Sequence, residues 1–589
     1  MARRVPLRRF LKLVFFRPLP IGLVLAMVSG CDYSSPTEDA TPQGTLQGGF
    51  NPPLPRAQGV AGTSAESAAA SVPLTGSVPS ISSEERVEER AAILENVIKQ
   101  IQAAAITPGG DNFRNATKNL NQYFAGQKPS DYLVDAKARA FLEPIITKRR
   151  VDELETPSFE LPDARHLEDC MMYQGIAKRV AGVGRPLTRV RRVFDWMVDQ
   201  VQLVPAGSLG SQGMQHAIAR PFDVLLRGMA TESEGMWSER GWLFLSLCRQ
   251  LGLDAAMIRY TPEKVKEPVV WCCGVLIDGK VYLFDPRVGM AVPDAKGDGV
   301  ATLDEAMTNP LILDRMDIPG QSAYGTTRDA LAGSPTKIGV MMDSGMRYFS
   351  PRMKLLQQNL AGKNQTILFR DPAEQVEQWK KALGGHCGEV KLWELPMTVE
   401  TLLFTNPQFV ESTLRALILF RPDFPLLYAR MKQLRGETAD AIHDYIGFRF
   451  AEKALMRDKK TPIPKEVQDA LDVYATFYLG TAHLEINDLK QAEFFFEKTL
   501  AMLPEPGRGQ PYYNMYRWGA QANLGRIKQA KGELDMATAY FGASDPTPQN
   551  HGNLFHARDI VWKNPTGPVA PTLAPPPPSV AGGTQAAVR

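Results

Sequence analysis

Histidine is scarce in this chain: there are seven in 589 residues, and none between His216 and His386. That gap takes the usual general base, and the commonest nitrogen ligand for metals, out of a long central stretch. Cysteine is thin as well. Cys31, Cys170, Cys248, Cys272, Cys273 and Cys387 are scattered, with no C-x-x-C and no Cys/His cluster. This excludes a zinc site of ordinary spacing and gives no disulfide framework. No apolar run reaches the ~20 residues that a helix needs to cross a bilayer. Basic tracts are missing too, once the first 30 residues are set aside. Those residues carry six positive charges and no acid, so their removal takes the formal charge from +3 to −3. Nothing then favours a nucleic-acid partner.

What the N-terminus does contain is a short sorting segment. Arg3, Arg4, Arg8, Arg9, Lys12 and Arg17 precede an apolar run from Pro20 to Val28, and Val28-Ser29-Gly30-Cys31 follows. A basic region, a brief apolar region and small residues before a cysteine predict export rather than a transmembrane helix. The ending resembles a bacterial lipobox, which implies lipidation of Cys31 and a mature chain attached to a bacterial membrane, facing the periplasm or the cell exterior. Residues 31–81 are rich in Ser, Thr, Pro, Gly and Ala. Such a composition cannot bury enough apolar surface to offset its ordering entropy, so a flexible linker is expected there.

A helix is expected to start at Ser82 or Ser83, with Glu84 and Glu85 favourably placed in its first turn. It opens a helical extension over 82–160. The most informative stretch comes later. GMWSERGWLFLSLCRQLGLDA (Gly235–Ala255) reads as a turn opening a long apolar helix, and VVWCCGVLIDGKVYLFDP (Val269–Pro286) as two antiparallel strands. Together they resemble the papain-like core of the transglutaminase-like superfamily, which implies an α+β domain over 161–331.

The same resemblance implies a Cys–His–Asp triad, and two of its members are missing here. Ungapped counting from Gly252 puts the nucleophile position at Trp237, and from Gly279 puts the base position at Val270; only Asp285 matches. Tryptophan cannot supply the thiolate that acyl transfer requires. The expectation is therefore a non-catalytic domain with vestigial positions Trp237, Val270 and Asp285. Its cleft would offer Trp237, Trp271 and Asp285 to a partner. The alternative is an active cysteine peptidase or acyltransferase using Cys272 or Cys273 with Asp285. These neighbouring thiols lie on one strand and so point to opposite faces, while the nearest replacement bases are Glu232, Glu234 and Glu239. Cys248 falls in mid-helix and is expected to be a core residue.

Residues 332–400 predict a small α/β extension: strands at Thr366–Asp371 and Val390–Leu395, with a helix between them capped by Asp371. From 401 to 564 the pattern is helical and repeats. Gly480, Ala492 and Phe496 recur at the same spacing as Gly525, Ala537 and Phe541, each Gly preceded by Leu. This resembles the tetratricopeptide repeat, which implies stacked helix pairs and a protein- or peptide-binding groove. A weaker third unit has Ala429, Ala441 and Tyr445 in the corresponding places. Residues 565–589 are Pro-rich and expected to be disordered. Nothing in the sequence implies a cofactor or a metal. The function expected is a membrane-anchored envelope lipoprotein that binds or scaffolds another envelope protein or a peptide.

Overall fold

The computed structural model describes residues 83–104, 106, 111–205, 218–233, 237–262, 268–332, 338–449, 460–504 and 511–564. The expected signal over 1–30, Cys31, the linker, His216, Glu234 and the tail lie outside them. Contacts divide the chain into a unit over 1–89 and a unit over 90–589; the second is described below. Among the described residues no helix is long and apolar enough to cross a membrane.

The fold is mixed α/β with a helical C-terminal region. Helix α1 (Ser83–Ala104) begins where the sequence places it, and from Arg90 onward it buries Leu94, Val97, Ile98 and Ile101. Helices at Asp111–Tyr123, Ala136–Ile146 and Lys148–Leu154 complete the extension. Next come α2 (Leu161–Ala181), α3 (Pro186–Gln200), α4 (Pro221–Arg227) and α5 (Glu239–Gln250). Two small strand pairs lie among them: β1 (Gln202–Leu203) with β2 (Met229–Ala230), and β3 (Glu232–Ser233) with β4 (Trp237–Ser238).

The main sheet contains β5 (Asp254–Tyr260), β6 (Val269–Ile277), β7 (Lys280–Asp285), β8 (Met290–Ala291), β9 (Ile338–Asp343) and β10 (Cys387–Trp393). Its spatial order is β10-β9-β5-β6-β7-β8, antiparallel throughout except for the parallel β9–β10 pair. Period-2 alternation divides each strand between two cores. Met257, Cys273, Phe284 and Met341 face α5 and the C-terminal helices, whereas Ile258, Cys272, Leu283 and Val340 face the N-terminal helices and α6 (Pro372–Leu383). The sheet thus carries on through the 332–400 region. One expectation there is corrected: Thr366–Asp371 is not a strand. Its backbone is held by side chains instead, with Ile367 N–H donating to Gln250 Oε1, and Leu368 and Phe369 N–H to Gln357 Oε1. Asp371 caps α6 as expected, accepting from Ala373 N–H at 2.9 Å.

The C-terminal helices pair in sequence order: α7 (Pro425–Arg435) with α8 (Thr438–Arg449), α9 (Lys465–Glu485) with α10 (Leu489–Met502), α11 (Pro511–Ala530) with α12 (Leu534–Phe541). Helix α13 (Gln549–Lys563) follows. The repeated glycines have a steric reason. A Cβ on Gly480 would stand 2.7 Å from the Phe496 ring, and one on Gly525 2.8 Å from the Phe541 ring. The first helix of each pair turns inward onto the α/β region. Arg430 donates to the Leu225 carbonyl, Tyr478 Oη to the Arg227 carbonyl, and Gly519 N–H to Gln202 Oε1. One hydrophobic core therefore runs from the sheet through α3 and α4 into the helix pairs.

Candidate functional site

Helix α5 starts on a tight cap. Ser238 Oγ accepts from Gly241 N–H at 2.9 Å, and any Cβ on Gly241 would lie 2.5 Å from that oxygen. Trp237 stands one residue earlier on β4, opposite Ser233; its side chain is outside the described residues. The positive end of the helix is a natural seat for an anion. Here the chain's own oxygens take the first N–H groups, with Glu239 N–H donating to the Thr231 carbonyl at 3.4 Å beside the Ser238 cap. Glu239 is fully buried, accepts from Ala219 N–H at 2.6 Å and Thr231 N–H at 2.7 Å, and forms an ion pair with Arg227. Glu232 is also buried and accepts from Arg240 N–H at 3.3 Å. Burial pushes its carboxyl up and the Arg240 guanidinium down. Arg240 in turn reaches the Pro286 carbonyl at 3.1 Å and Gln549 Oε1 at 2.8 Å, tying α5 to the Asp285 turn and to α13.

Strand β6 carries a bulge that inserts Trp271 between Val270, opposite Arg259, and Cys272, opposite Ile258. Val270 is half-buried. Trp271 and Asp285 are 1% and 0% exposed, so neither presents surface to a partner in this conformation. They are linked through a residue that the sequence reading missed. Trp271 Nε1–H donates to Tyr324 Oη, and Tyr324 Oη–H donates to Asp285 Oδ2, each at 2.8 Å. Asp285 also takes Arg287 through its backbone N–H at 3.0 Å and its guanidinium at 2.8 Å. The carboxylate is fully engaged and is not holding an imidazole. An imidazole that stands near this network is again distant in sequence: the His551 ring on α13 lies 5.6 Å from that of Tyr324. Its nitrogens are committed at 2.9 Å, one to Ser322 Oγ and one to the Met316 carbonyl. No local sequence signal marks either Tyr324 or His551, because both arrive from loops and helices far along the chain.

No family model, curated protein or solved structure matches this chain.

The thiols complete the picture. Cys170, Cys248, Cys272 and Cys273 are fully buried, and burial pushes all four well above the range of a reactive cysteine. Cys273 lies under the start of α5, 3.5 Å from Met257 Sδ and 4.0 Å from the Gly241 carbonyl; Cys272 is on the opposite face. A Cys–His contact does exist elsewhere: Cys170 Sγ is 3.7 Å from His166 Nε2, one helical turn away on α2. Burial lowers His166 to about 4 and raises Cys170, so both are neutral near pH 7 and no thiolate–imidazolium pair forms. Among the described residues, no group of three His, Cys, Asp or Glu side chains is placed to hold a metal.

Proposed function

We propose that this chain is an exported envelope lipoprotein, anchored to a bacterial membrane through lipidated Cys31, that binds or scaffolds another envelope protein or a peptide. In this reading the transglutaminase-like domain is non-catalytic, and its vestigial triad positions are Trp237, Val270 and Asp285. The observation that carries the non-catalytic reading is the state of the helix α5 N-terminus and of Asp285. Oxygens of Thr231, Glu232 and Ser238 occupy the first N–H groups of α5, and Arg287 and Tyr324 saturate the acid. Acyl transfer needs an exposed thiolate and an oriented base, and the groups that would supply them are spent on structure.

The helix pairs, which we regard as tetratricopeptide-like, use their inner helices to brace the domain. Partner binding then falls to the outer helices, where Ile446, Phe494 and Met536 are exposed. The test is site-resolved alkylation of the purified chain against pH, read by mass spectrometry. Half-buried Cys387 is expected to label first, and Cys170, Cys248, Cys272 and Cys273 only on unfolding. Rapid labelling of Cys272 or Cys273 below the free-thiol pKa of about 8.5 would overturn the reading and favour an acyl-transfer enzyme. Fatty-acid incorporation that is lost in Cys31→Ala tests the anchor separately.

A further inference from the structure

The two edges of the main sheet are finished differently. Strand β8 is two residues long, and the turn before it is covered by α13, where Gly552 sits on the Val288 carbonyl so closely that a Cβ would lie 1.9 Å from the oxygen. Strand β10 at the other edge is seven residues long and has β9 as its single neighbour. Apart from Cys387 N–H, which donates to the Gly384 carbonyl of the preceding turn, no backbone hydrogen bond to another described segment covers its outer side. Gly388 and Glu389 are exposed, Val390 and Lys391 half-buried, and a bulge at Gly388 separates Cys387 from the regular run. An open edge with this much unpaired backbone is a template for another strand.

We propose that β10 pairs with β10 of a second copy of this chain, antiparallel about a two-fold axis through Val390. The local order Glu389-Val390-Lys391 selects that occupant and that register. With Val390 facing its own copy, each Glu389 lies opposite a Lys391, on the same face and within reach. A register centred on Lys391 sets two lysines together, and one centred on Glu389 two glutamates. Charged edge residues ordinarily repel an incoming strand; this arrangement turns them into two cross-strand pairs, and into none for a strand of arbitrary sequence. Lys391 has no ion-pair partner among the described residues, and Glu389, although ion-paired with Arg259 through one oxygen, remains 54% exposed and so can also meet a facing lysine. The contact is isologous and closed, so it stops at a dimer and joins the two sheets edge to edge.

The test uses the full-length chain in mild detergent. Sedimentation velocity is expected to show a concentration-dependent dimer. On mild oxidation the Val390→Cys variant is expected to form a disulfide between the introduced thiols of two copies, mapped by mass spectrometry. Lys391→Glu and Glu389→Lys should each weaken self-association by about tenfold or more, since two attractive pairs become repulsive. Mixing the two variants should restore association, because every facing pair is then opposite in sign. A chain that stays monomeric into the submillimolar range, with no link between the introduced thiols, overturns the proposal. So does a dimer indifferent to both charge variants, or one whose cross-link maps elsewhere. Circular dichroism of each variant separates lost pairing from lost folding.

Discussion

Replacing Gly480 by alanine probes whether the repeat spacing reflects packing. The new methyl carbon would stand 2.7, 2.8 and 3.0 Å from three carbons of the Phe496 ring. Carbon atoms rest at about 3.5–4.0 Å, so the ring has to withdraw by roughly 1 Å. It has nowhere to go: Phe496 is fully buried and packs edge-on to Phe477 at 5.6 Å, which itself contacts Tyr516 at 4.6 Å. Overpacking of this kind costs about 1–3 kcal/mol. Alanine recovers about 1 kcal/mol over glycine in a helix interior. The net expectation is a loss of about 1 kcal/mol. With Phe496→Ala in place the clash vanishes and only the propensity gain remains, so Gly480→Ala should then stabilise by about 1 kcal/mol. Urea unfolding followed by circular dichroism reads both backgrounds. A Gly480→Ala chain as stable as the native one, or the same sign in both backgrounds, would refute the argument. Gly525 with Phe541 should behave alike, since its Cβ distances are 2.8, 2.8 and 3.0 Å.

Arg352 is fully buried and grips Asp163 through Nε at 2.7 Å and a second nitrogen at 3.2 Å, besides three backbone carbonyls. Arg352→Met should cost about 3 kcal/mol by leaving the acid with only the Glu160 N–H at 2.8 Å and Arg347 at 3.6 Å, and Asp163→Leu added to it should recover part of that loss in urea melts. Gly552→Leu cannot keep α13 seated on Val288; hydrogen exchange should rise across 549–563 while α9 and α11 stay protected, and unchanged exchange would count against the docking described. His166 gives a pH dependence of defined sign. Burial lowers it from 6.5 to about 4, so the folded chain takes up its proton later than the unfolded one. Its contribution is intact above pH 6.5 and is lost as pH falls toward 4, with a slope of at most about 1.4 kcal/mol per pH unit. His166→Gln should flatten that limb of a stability–pH profile.

The elements that the sequence reveals are those whose evidence is local. Glycine, alanine and phenylalanine at fixed spacing describe one helix crossing the next, and the apolar run from Trp242 to Cys248 fits a helix buried on every side. Asp371 followed by Pro372 marks the start of α6 because a cap acts within three residues. Thr366–Asp371 departs from its expected strand because β-like composition does not show that Gln250 and Gln357 occupy the backbone groups a neighbouring strand needs. At the site, the sequence offers Trp271 and Asp285 to a partner whereas the structure buries both, and their shared partner Tyr324 and the neighbouring His551 carry no local signal. A hydroxyl or imidazole brought in from a distant loop leaves no periodicity to detect. The inward docking of α7, α9 and α11 is illegible for the same reason, since it depends on shape between segments rather than on pattern within one.

That docking also sets a schedule for making the protein. The bond from Tyr478 to the Arg227 carbonyl joins residues 251 apart. At about 5–20 residues per second of synthesis, α4 waits roughly 13–50 s before the helix that shields it has been made. During that interval Phe222, Leu225 and Leu226, all buried in the finished fold, are covered only in part, by α5 and later by α7. The first half of the chain thus keeps part of its apolar surface open until the second half arrives, and a chain ending between the two would lack that cover.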